Sequence, residues 1–221
     1  MLAQGGPKWA VEHWHYSGRM PLFKQNYIGV WESGAYIGCV VFGRSVTPHL
    51  GDQFSLSCTE VVELTRVALT THECSVSRVV SIATRLIRQK NPGLRLLVSY
   101  ADVNVGHVGT IYQAANWIYV GRSASIRQYW WRNQWRNDTS MFRAFKSEPS
   151  LRQACQTRRL MPKYKYLMPL DAAMRTQIEP LRQPYPKRVR SDTIDTPADQ
   201  AGEGGEAPTR ALHVPRETAA V

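Results

Sequence analysis

The chain has 221 residues, a length that fits one domain of ordinary size plus a tail. Its 43% apolar content is enough for a core, but no apolar run approaches the roughly 18 residues that a membrane-spanning helix needs. The first residues also lack the continuous apolar segment of a secretory signal. The formal net charge of +11 favours an anionic partner, with nucleic acid first and an acidic membrane surface second, while the remaining alternative is a charge that serves only solubility.

The cysteines do not indicate a metal or redox site. No two of them form a Cys-x-x-Cys pair, so neither a zinc ribbon nor a thioredoxin-like site is indicated. We interpret all four as small buried residues or free thiols. Iron or another metal is therefore expected to bind through His, Tyr, Asp or Glu. The four are Cys39, Cys58, Cys74 and Cys155.

The first half of the chain is rich in β-branched and aromatic residues. Residues 27–43 predict a β-hairpin, because two such runs flank Ser33-Gly34, a pair typical of turns. Residues 44–59 are loop-like in composition. The next run, VVELTRVAL at residues 61–69, predicts a central strand.

The clearest helix is predicted over residues 75–90. Its apolar residues follow the i, i+3, i+4, i+7 spacing of one buried face. Ser75 or Ser77 can cap its start, and Asn91-Pro92-Gly93 ends it.

Three further elements are predicted after this helix: a buried strand at residues 94–100, a helix from about Gly106 to Asn116, and a strand at residues 117–120. The alternation predicts an α/β (α+β) fold with a mixed central sheet flanked by helices. Ligands in such sheets bind near the carboxyl ends of strands, which makes residues 69–71 and 100–102 site candidates.

The second half changes in character. Residues 121–165 carry many arginines and lysines against only Asp138 and Glu148, with Trp, Tyr and Phe interleaved. Guanidinium groups bind phosphates and aromatic rings stack on exposed bases, so this block predicts a nucleic-acid surface. The alternative is that the tryptophans are mostly core and the arginines are their solvated rim. From residue 183 onward the composition predicts a disordered tail, which leaves residues 1–182 as the folded domain.

Two polar groups precede the basic block. His13 and His15 are two residues apart, would share one side of a strand, and could coordinate a metal; the alternative is a loop packed on the domain edge. Glu63 and Arg66 lie in a strand of apolar residues, where an unpaired charge is costly. They are either a structural ion pair or the lining of a polar ligand site.

Asp102 is the strongest catalytic candidate. It follows a predicted buried strand, where it can act as a base or accept a hydrogen bond from an amino group, or serve as a cap or turn residue. Gly106 and Gly109 would let a ligand approach the next helix closely. The chain has no P-loop, no Gly-x-Ser-x-Gly and no Gly-x-Gly-x-x-Gly, so the corresponding hydrolase and dehydrogenase classes lack support.

Over residues 10–170 the sequence resembles the Mom family of phage DNA-modification proteins. The likeness is carried by VVELTRVAL, by LLVSYADVNVGHVGTIYQAANWIYVGRS at residues 96–123, by His15-Tyr16-Ser17 ahead of Pro21, and by KYKYLMPL at residues 163–170. The resemblance implies a GNAT-like acetyltransferase fold. It also implies conversion of adenine in double-stranded DNA to N6-carbamoylmethyl (acetamido) adenine, which protects phage DNA from host restriction. A phage- or prophage-encoded protein acting in the host cytoplasm is expected, with no membrane or protein partner indicated.

The resemblance also implies site residues. The polar residues of the catalytic site would be Tyr16, Arg66, Asp102, Tyr112 and Tyr119. An acyl-CoA donor such as acetyl-CoA would lie along Val67, Leu69, Ser75 and Ser77. In the GNAT superfamily a Gln/Arg-x-x-Gly-x-Gly/Ala turn holds the pyrophosphate, whereas this turn reads TTHECS with no glycine. DNA would be held by Arg122, Arg127, Arg132, Arg136 and Trp117.

The expected product sets the chemical question. Attack of nitrogen on a thioester carbonyl, as in acyl transfer, does not make a bond from nitrogen to a CH₂ carbon, so iron, held by His15 and Tyr16, is one hypothesis. Asp102 would accept the amino proton, and the base must leave the duplex to be reached. The competing functions are a CoA-dependent N-acetyltransferase acting on a protein or small molecule and a non-catalytic DNA-binding protein.

Overall fold

The elements follow one another with short connections in the computed structural model, which describes residues 6–21, 24–44 and 49–188. The helices are α1 Pro7–Trp14, α2 Val76–Lys90, α3 Thr110–Ala114, α4 Asp138–Ser147, α5 Leu151–Ala154 and α6 Ala172–Ile178. The strands are β1 Gln25–Glu32, β2 Ala35–Gly43, β3 Val61–Leu69, β4 Leu96–Ala101, β5 Ile118–Arg122, β6 Ile126–Trp131, β7 Gln134–Asn137, β8 Thr157–Leu160 and β9 Tyr164–Pro169. Short 3₁₀ turns span Asp52–Phe54, Val103–Val105 and Glu179–Leu181.

A six-stranded mixed sheet forms the centre, in the order β1-β2-β3-β4-β9-β5. β3 and β4 are parallel, and the other neighbouring pairs are antiparallel. The predicted hairpin is confirmed, with Ser33 and Gly34 at φ of 50° and 82° in its two-residue turn. The predicted α/β class with a mixed central sheet is confirmed as well. The position of β9, between β4 and β5, was not predicted.

Helices cover both faces of this sheet. α2 packs Val79, Val80 and Ala83 into one large apolar cluster with Leu97 and Trp117. On the other face, α6 contributes its apolar residues to a second cluster with the 52–56 segment. α2 begins with Ser75 as its N-cap residue, as expected from the sequence, although the Ser75 side chain makes no capping hydrogen bond.

Two local predictions were wrong. His13 and His15 were expected either to share one side of a strand or to lie in a loop at the domain edge, but His13 is in the last turn of α1 and His15 is the residue that caps that helix, so the two do not share a strand face. The helix predicted from Gly106 to Asn116 is only the five-residue α3. Gly106 and Gly109 both have positive φ, at 80° and 81°, which interrupts the helical path before Thr110.

A smaller three-stranded sheet, in the order β7-β6-β8, follows β5. We call it, with α4 and α5, the arm. One face of the sheet is closed by α4, because Tyr129 packs on Met141 and Phe145 in a cluster of its own. The chain enters the arm from β5 and returns to the main sheet at β9. These two strands are neighbours in the main sheet.

The end of the described chain lies against β5. The Gln183 backbone N–H donates to the Tyr119 carbonyl, and the Tyr185 hydroxyl donates to the Trp117 carbonyl at 2.8 Å. The tail predicted from residue 183 falls mostly on residues 189–221, outside the described residues, so its disorder remains a prediction. No helix among the described residues is long and apolar enough to cross a membrane.

Candidate active site

The parallel strands β3 and β4 are paired along only part of their length. They pair from Val61–Leu64 with Leu96–Ser99, and at the last paired position the Ser99 hydroxyl donates to the Leu64 carbonyl at 2.9 Å. β3 continues to Leu69 in register with β2 alone. The carboxyl ends of β3 and β4 are therefore not paired with each other and diverge at the edge where ligands of such sheets bind, and we call the space between these two ends the cleft.

Arg66 lies on β3 just past this divergence. Its guanidinium is anchored to backbone carbonyls: Nη1 donates to Thr65 O at 2.6 Å and Nε to Arg19 O at 3.3 Å. Burial lowers the pKa of Arg66, while Tyr16 and Tyr112 are among the groups whose proximity raises it. Arg66 is thus a fixed, half-buried cation whose remaining N–H groups are donors for a polar ligand.

Asp102 lies across the cleft, one residue beyond β4. Its Oδ1 accepts hydrogen bonds from the Asn104 backbone N–H at 3.0 Å and from Asn104 Nδ2 at 2.8 Å, and its Oδ2 lies 2.7 Å from Lys163 Nζ. Burial raises the pKa of Asp102, but Lys163 and Asn104 outweigh it, so the pKa is below its ordinary value. Asp102 is therefore both a turn cap and an ionised carboxylate with acceptor capacity left on Oδ2.

His15 is a neutral hydrogen-bond donor in this arrangement. Its pKa is lowered to about 3, first by burial and then by the charges of Arg66, His107 and Lys163. The Ser17 backbone N–H donates to Nδ1 at 3.1 Å. A nitrogen that accepts a hydrogen bond carries no proton, so the single proton of the neutral ring is on Nε2.

Tyr16 connects the N-terminal segment to β4. Its ring lies 4.3 Å from the His15 ring and 5.1 Å, edge to face, from the His107 ring. Burial and the negative charge of Asp102 raise the pKa of Tyr16, whereas Arg66 lowers it. The cleft therefore brings together three of the five predicted catalytic residues, since Arg66 and Asp102 both act on Tyr16, whose ring packs on His15.

The other two predicted catalytic tyrosines are buried. Tyr112 is coupled electrostatically to Arg66 and packs on Trp117 and Tyr166, so it forms the floor of the cleft. Tyr119 packs against Tyr166 and Tyr164. Tyr112 and Tyr119 are both 7% exposed.

Two residues of the cleft, His107 and Lys163, were absent from the predicted site. His107 follows Asp102 in the segment already singled out, and its spacing did not reveal the turn that brings its ring to Tyr16. Lys163 comes from the connection between the arm and β9. Its only signal was the alternating Lys-Tyr-Lys-Tyr pattern of residues 163–166, which is typical of a strand with polar residues on one face.

The residues predicted to hold CoA lie beside a turn whose backbone N–H groups already bind a carboxylate of the protein itself. The Glu32 carboxylate accepts hydrogen bonds from the backbone N–H groups of Glu73 at 2.8 Å and Cys74 at 2.9 Å. These are the amides ahead of α2 that would face a pyrophosphate. Val67 and Leu69 are on β3, and Ser75 and Ser77 begin α2, but an internal anion fills the place of the expected phosphate. The turn does not fit CoA as arranged.

A metal held by His15 and Tyr16 also lacks support from the donor set. Within the described residues, no three His, Cys, Asp or Glu side chains are placed to hold a metal ion together. His15 Nδ1 is engaged by Ser17 and its Nε2 carries the proton. These side chains as arranged do not fit iron.

The predicted DNA-binding residues divide by exposure. Arg122 is exposed at the end of β5, with its guanidinium carbon 4.9 Å from the Tyr164 ring centroid. Arg127, Arg132 and Arg136 lie on the arm, the first two exposed and the third half-buried. Trp117 is fully buried in the main core, so it has no surface to offer a base.

Fold and site together define a mixed α/β protein with a charged, hydrogen-bonded cleft at the carboxyl ends of two diverging parallel strands. The chain belongs to the Mom protein family, whose model matches residues 5–187. It is similar to methylcarbamoylase Mom of Escherichia phage Mu, with 30% identity over 117 residues, which are 50% of this chain and 48% of the relative. The chain thus matches about half of that curated relative's length. The resemblance noted from the sequence is confirmed.

Proposed function

We propose that this protein modifies adenine in double-stranded DNA, converting it to N6-carbamoylmethyl (acetamido) adenine and protecting phage DNA from restriction in the host cytoplasm. The observation that carries the proposal is the set of side chains around Tyr16: its ring packs on the neutral donor His15, and the ionised Asp102 and the fixed cation Arg66 both shift its pKa. Membership of the Mom family and the name of the phage Mu relative support the choice of reaction.

The chemistry requires one new bond, from adenine N6 to a CH₂ carbon. N6 supplies the electron pair, the bond from that carbon to the donor's leaving group breaks with its pair, and one proton leaves N6. The amino lone pair is delocalised into the ring, so N6 is a weak nucleophile. As the new bond forms, N6 becomes strongly acidic, and a carboxylate with a low pKa is then a sufficient acceptor.

Each cleft residue has a role in this reaction. Asp102 Oδ2 accepts a hydrogen bond from the amino group and then its proton, while Lys163 and Asn104 hold the carboxylate in place. His15 Nε2–H and the free N–H groups of Arg66 point to recognition of the oxygen of the transferred carboxamide. Tyr16, half-exposed above His107, can contact the adenine ring from the side.

DNA binding follows from charge. The chain carries +11, and the arm contributes exposed arginines beside the cleft. The target amine is paired inside a duplex, so the base must be flipped out or reached in an opened strand. Binding carried by phosphate contacts should weaken steeply as salt rises, and a flat response to salt would contradict this part of the proposal.

Nucleoside mass spectrometry of DNA from cells expressing the protein tests the proposal. We expect adenosine heavier by a carbamoylmethyl group, and none in cells carrying the empty vector. A CoA-dependent N-acetyltransferase would instead leave every nucleoside unaltered and transfer acetyl groups to protein or small molecules. If the protein were a non-catalytic DNA-binding protein, its Asp102→Ala variant would protect DNA as well as the wild type does. Either result would replace the proposed function.

A further inference from the structure

The face of the arm's sheet that α4 does not cover carries an unusual group of side chains. Side chains alternate along β6, so Tyr129 points to α4 while Gln128 and Trp130 point to the opposite side. Cross-strand partners share a face, which places Trp135 beside Trp130 and Arg158 beside Gln128. We call Gln128, Trp130, Trp135 and Arg158 the outer face.

The groups of the outer face are flat and already pack against one another. The Trp130 and Trp135 rings are 5.3 Å apart in an edge-to-face pair. The Arg158 guanidinium carbon lies 4.3 Å from the Trp135 ring centroid, and Arg158 Nε donates to Gln128 Oε1 at 2.8 Å. Arg158 is exposed, and Trp130 is 40% exposed. The Gln128 amide fixes the guanidinium, so part of the ordering entropy of a stacking surface is already lost before a ligand binds.

The charge of the arm identifies the kind of partner. Between residues 121 and 165 the only acidic residues are Asp138 and Glu148. Asp138 accepts from the Tyr129 hydroxyl at 3.1 Å and pairs with Arg152 at 3.4 Å, on the α4 side. Glu148 follows the end of α4. The outer face therefore presents aromatic rings and a guanidinium with no carboxylate among them, which suits an anionic, aromatic polymer.

The turn that links β6 and β7 adds a cation at the tip of the same hairpin. Arg132 and Asn133 both have positive φ, at 48° and 59°, without a glycine. This two-residue turn keeps Trp130 and Trp135 as cross-strand neighbours and leaves Arg132 exposed at the tip. Arg132 thus places a positive charge at the tip of the hairpin, next to the edge-to-face pair of Trp130 and Trp135.

The root of the arm is bonded to the candidate active site. Met161 N–H donates to Asn104 Oδ1 at 3.0 Å, and Ser123 N–H donates to the Lys163 carbonyl at 2.8 Å. Asn104 and Lys163 are the two residues that hold Asp102. A strand bound on the arm is therefore fixed relative to the Asp102 carboxylate through these connections.

We propose that the outer face is a platform for a single DNA strand: an unpaired base stacks on Trp130, and Arg158 binds the neighbouring phosphate while it remains stacked on Trp135. The platform holds the strand that is opened when the target adenine leaves the duplex. This inference rests on the proposed function, because it assigns the arm to the same DNA substrate. The sequence predicted stacking by the Trp and Tyr residues between Trp117 and Trp135, and of these Trp117 lies in the core.

The test measures binding of the full chain to fluorescent oligonucleotides by anisotropy, with a DNA single strand, the matched duplex and an RNA strand of the same sequence. Trp130→Leu keeps an apolar side chain but removes the π face. We expect it to weaken binding to the DNA single strand by about tenfold, with a smaller effect on the paired duplex. Trp130→Tyr should bind like the wild type, which also controls for folding.

Matched variants elsewhere in the fold provide the comparison. Trp31→Leu removes another exposed tryptophan, on β1, and should leave binding unchanged. Arg158→Gln should reduce the slope of log affinity against log salt by about 0.7, the value for one phosphate contact on a single strand, whereas Arg85→Gln on α2 should not. Equal losses for Trp130→Leu and Trp31→Leu, or tighter binding of the RNA strand, would overturn the platform.

The platform and the proposed function can fail separately. If cells expressing the wild type contain no modified adenosine while Trp130→Leu still loses single-strand binding, the platform is retained and the reaction is wrong. If adenosine is modified but Trp130→Leu and Arg158→Gln bind every probe like the wild type, the reaction is retained and the platform is wrong.

Discussion

Lys163 Nζ lies 2.7 Å from Asp102 Oδ2 and joins the root of the arm to the end of β4. The two side chains are 29% and 13% exposed, so this ion pair is shielded from solvent far more than a surface pair. Lys163, together with Asn104, lowers the pKa of Asp102, whereas burial alone would raise the pKa of that carboxyl. The chemistry of the cleft and the position of the arm thus depend on the same contact.

Lys163→Met should destabilise the fold by about 2 kcal/mol at neutral pH, because a buried charged hydrogen bond loses its partner. The pKa of Asp102 is depressed in the folded state, so its stabilisation is present above the ordinary carboxyl pKa and is lost as pH falls through the folded value. The difference in Tm between variant and wild type should therefore shrink as pH falls below the ordinary carboxyl pKa of about 3.9. Lys90→Met, at the exposed end of α2, is the control. A difference independent of pH would contradict the role of the pair.

The His15 imidazole should remain neutral at about pH 5, where an ordinary histidine is mostly protonated. Burial, and then the electrostatic effects of Arg66, His107 and Lys163, lower its pKa to about 3. Because the folded pKa is depressed, the associated stability is full above about pH 6.5 and declines as pH falls toward 3. Imidazole NMR with the His15→Asn variant for assignment measures this directly. A midpoint close to the ordinary value would remove the neutral donor from the mechanism.

Glu32→Ala should lower Tm, because the amides of Glu73 and Cys74 lose the carboxylate that accepts from them. Glu73→Ala is the matched control, since only the backbone of Glu73 is used. Calorimetric titration of the wild type with CoA should show no binding at this turn. Saturable CoA binding that is insensitive to Glu32→Ala would contradict the assignment of Glu32 as the anion of the turn.

Gly109→Ala should destabilise the protein by about 3 kcal/mol, because the residue has a positive φ of 81° and because the added Cβ would lie 2.5 Å from the Tyr166 ring. Gly106→Ala has nearly the same φ, 80°, but meets open space, so it should cost only about 1 kcal/mol. Urea unfolding of the pair separates the steric contact from the backbone strain. Equal losses would show that Gly109 and Tyr166 do not pack as described.

Local patterns in the sequence predicted much of the main sheet. The 33–34 turn and the apolar spacing of α2 are determined by neighbouring residues, so both were confirmed. The insertion of β9 between β4 and β5 was not predictable, because pairing between distant strands leaves no periodic signal in either one. The arm was recognised only as a basic, aromatic block, since its arginines mask the alternation of its strands.

The candidate site shows the same difference between features that neighbouring residues determine and features that depend on distant parts of the chain. Asp102 was predicted because a polar residue after a buried strand is a local signal. Lys163, which determines its charge, arrives from the far end of the arm and could be found only from the fold. Trp117 was assigned to DNA because a tryptophan beside a basic block suits either a core or a surface, and burial alone decides between them.

The most direct test of the account is the ratio of N6-carbamoylmethyl adenosine to adenosine in DNA from cells expressing the wild type, Asp102→Asn or Asp52→Asn at matched levels. Asp52 is an exposed carboxylate paired with His49, away from the cleft. The account predicts modified adenosine with the wild type and Asp52→Asn, and a loss of at least about a hundredfold with Asp102→Asn. Unmodified adenosine with the wild type, or equal modification with Asp102→Asn, would contradict it.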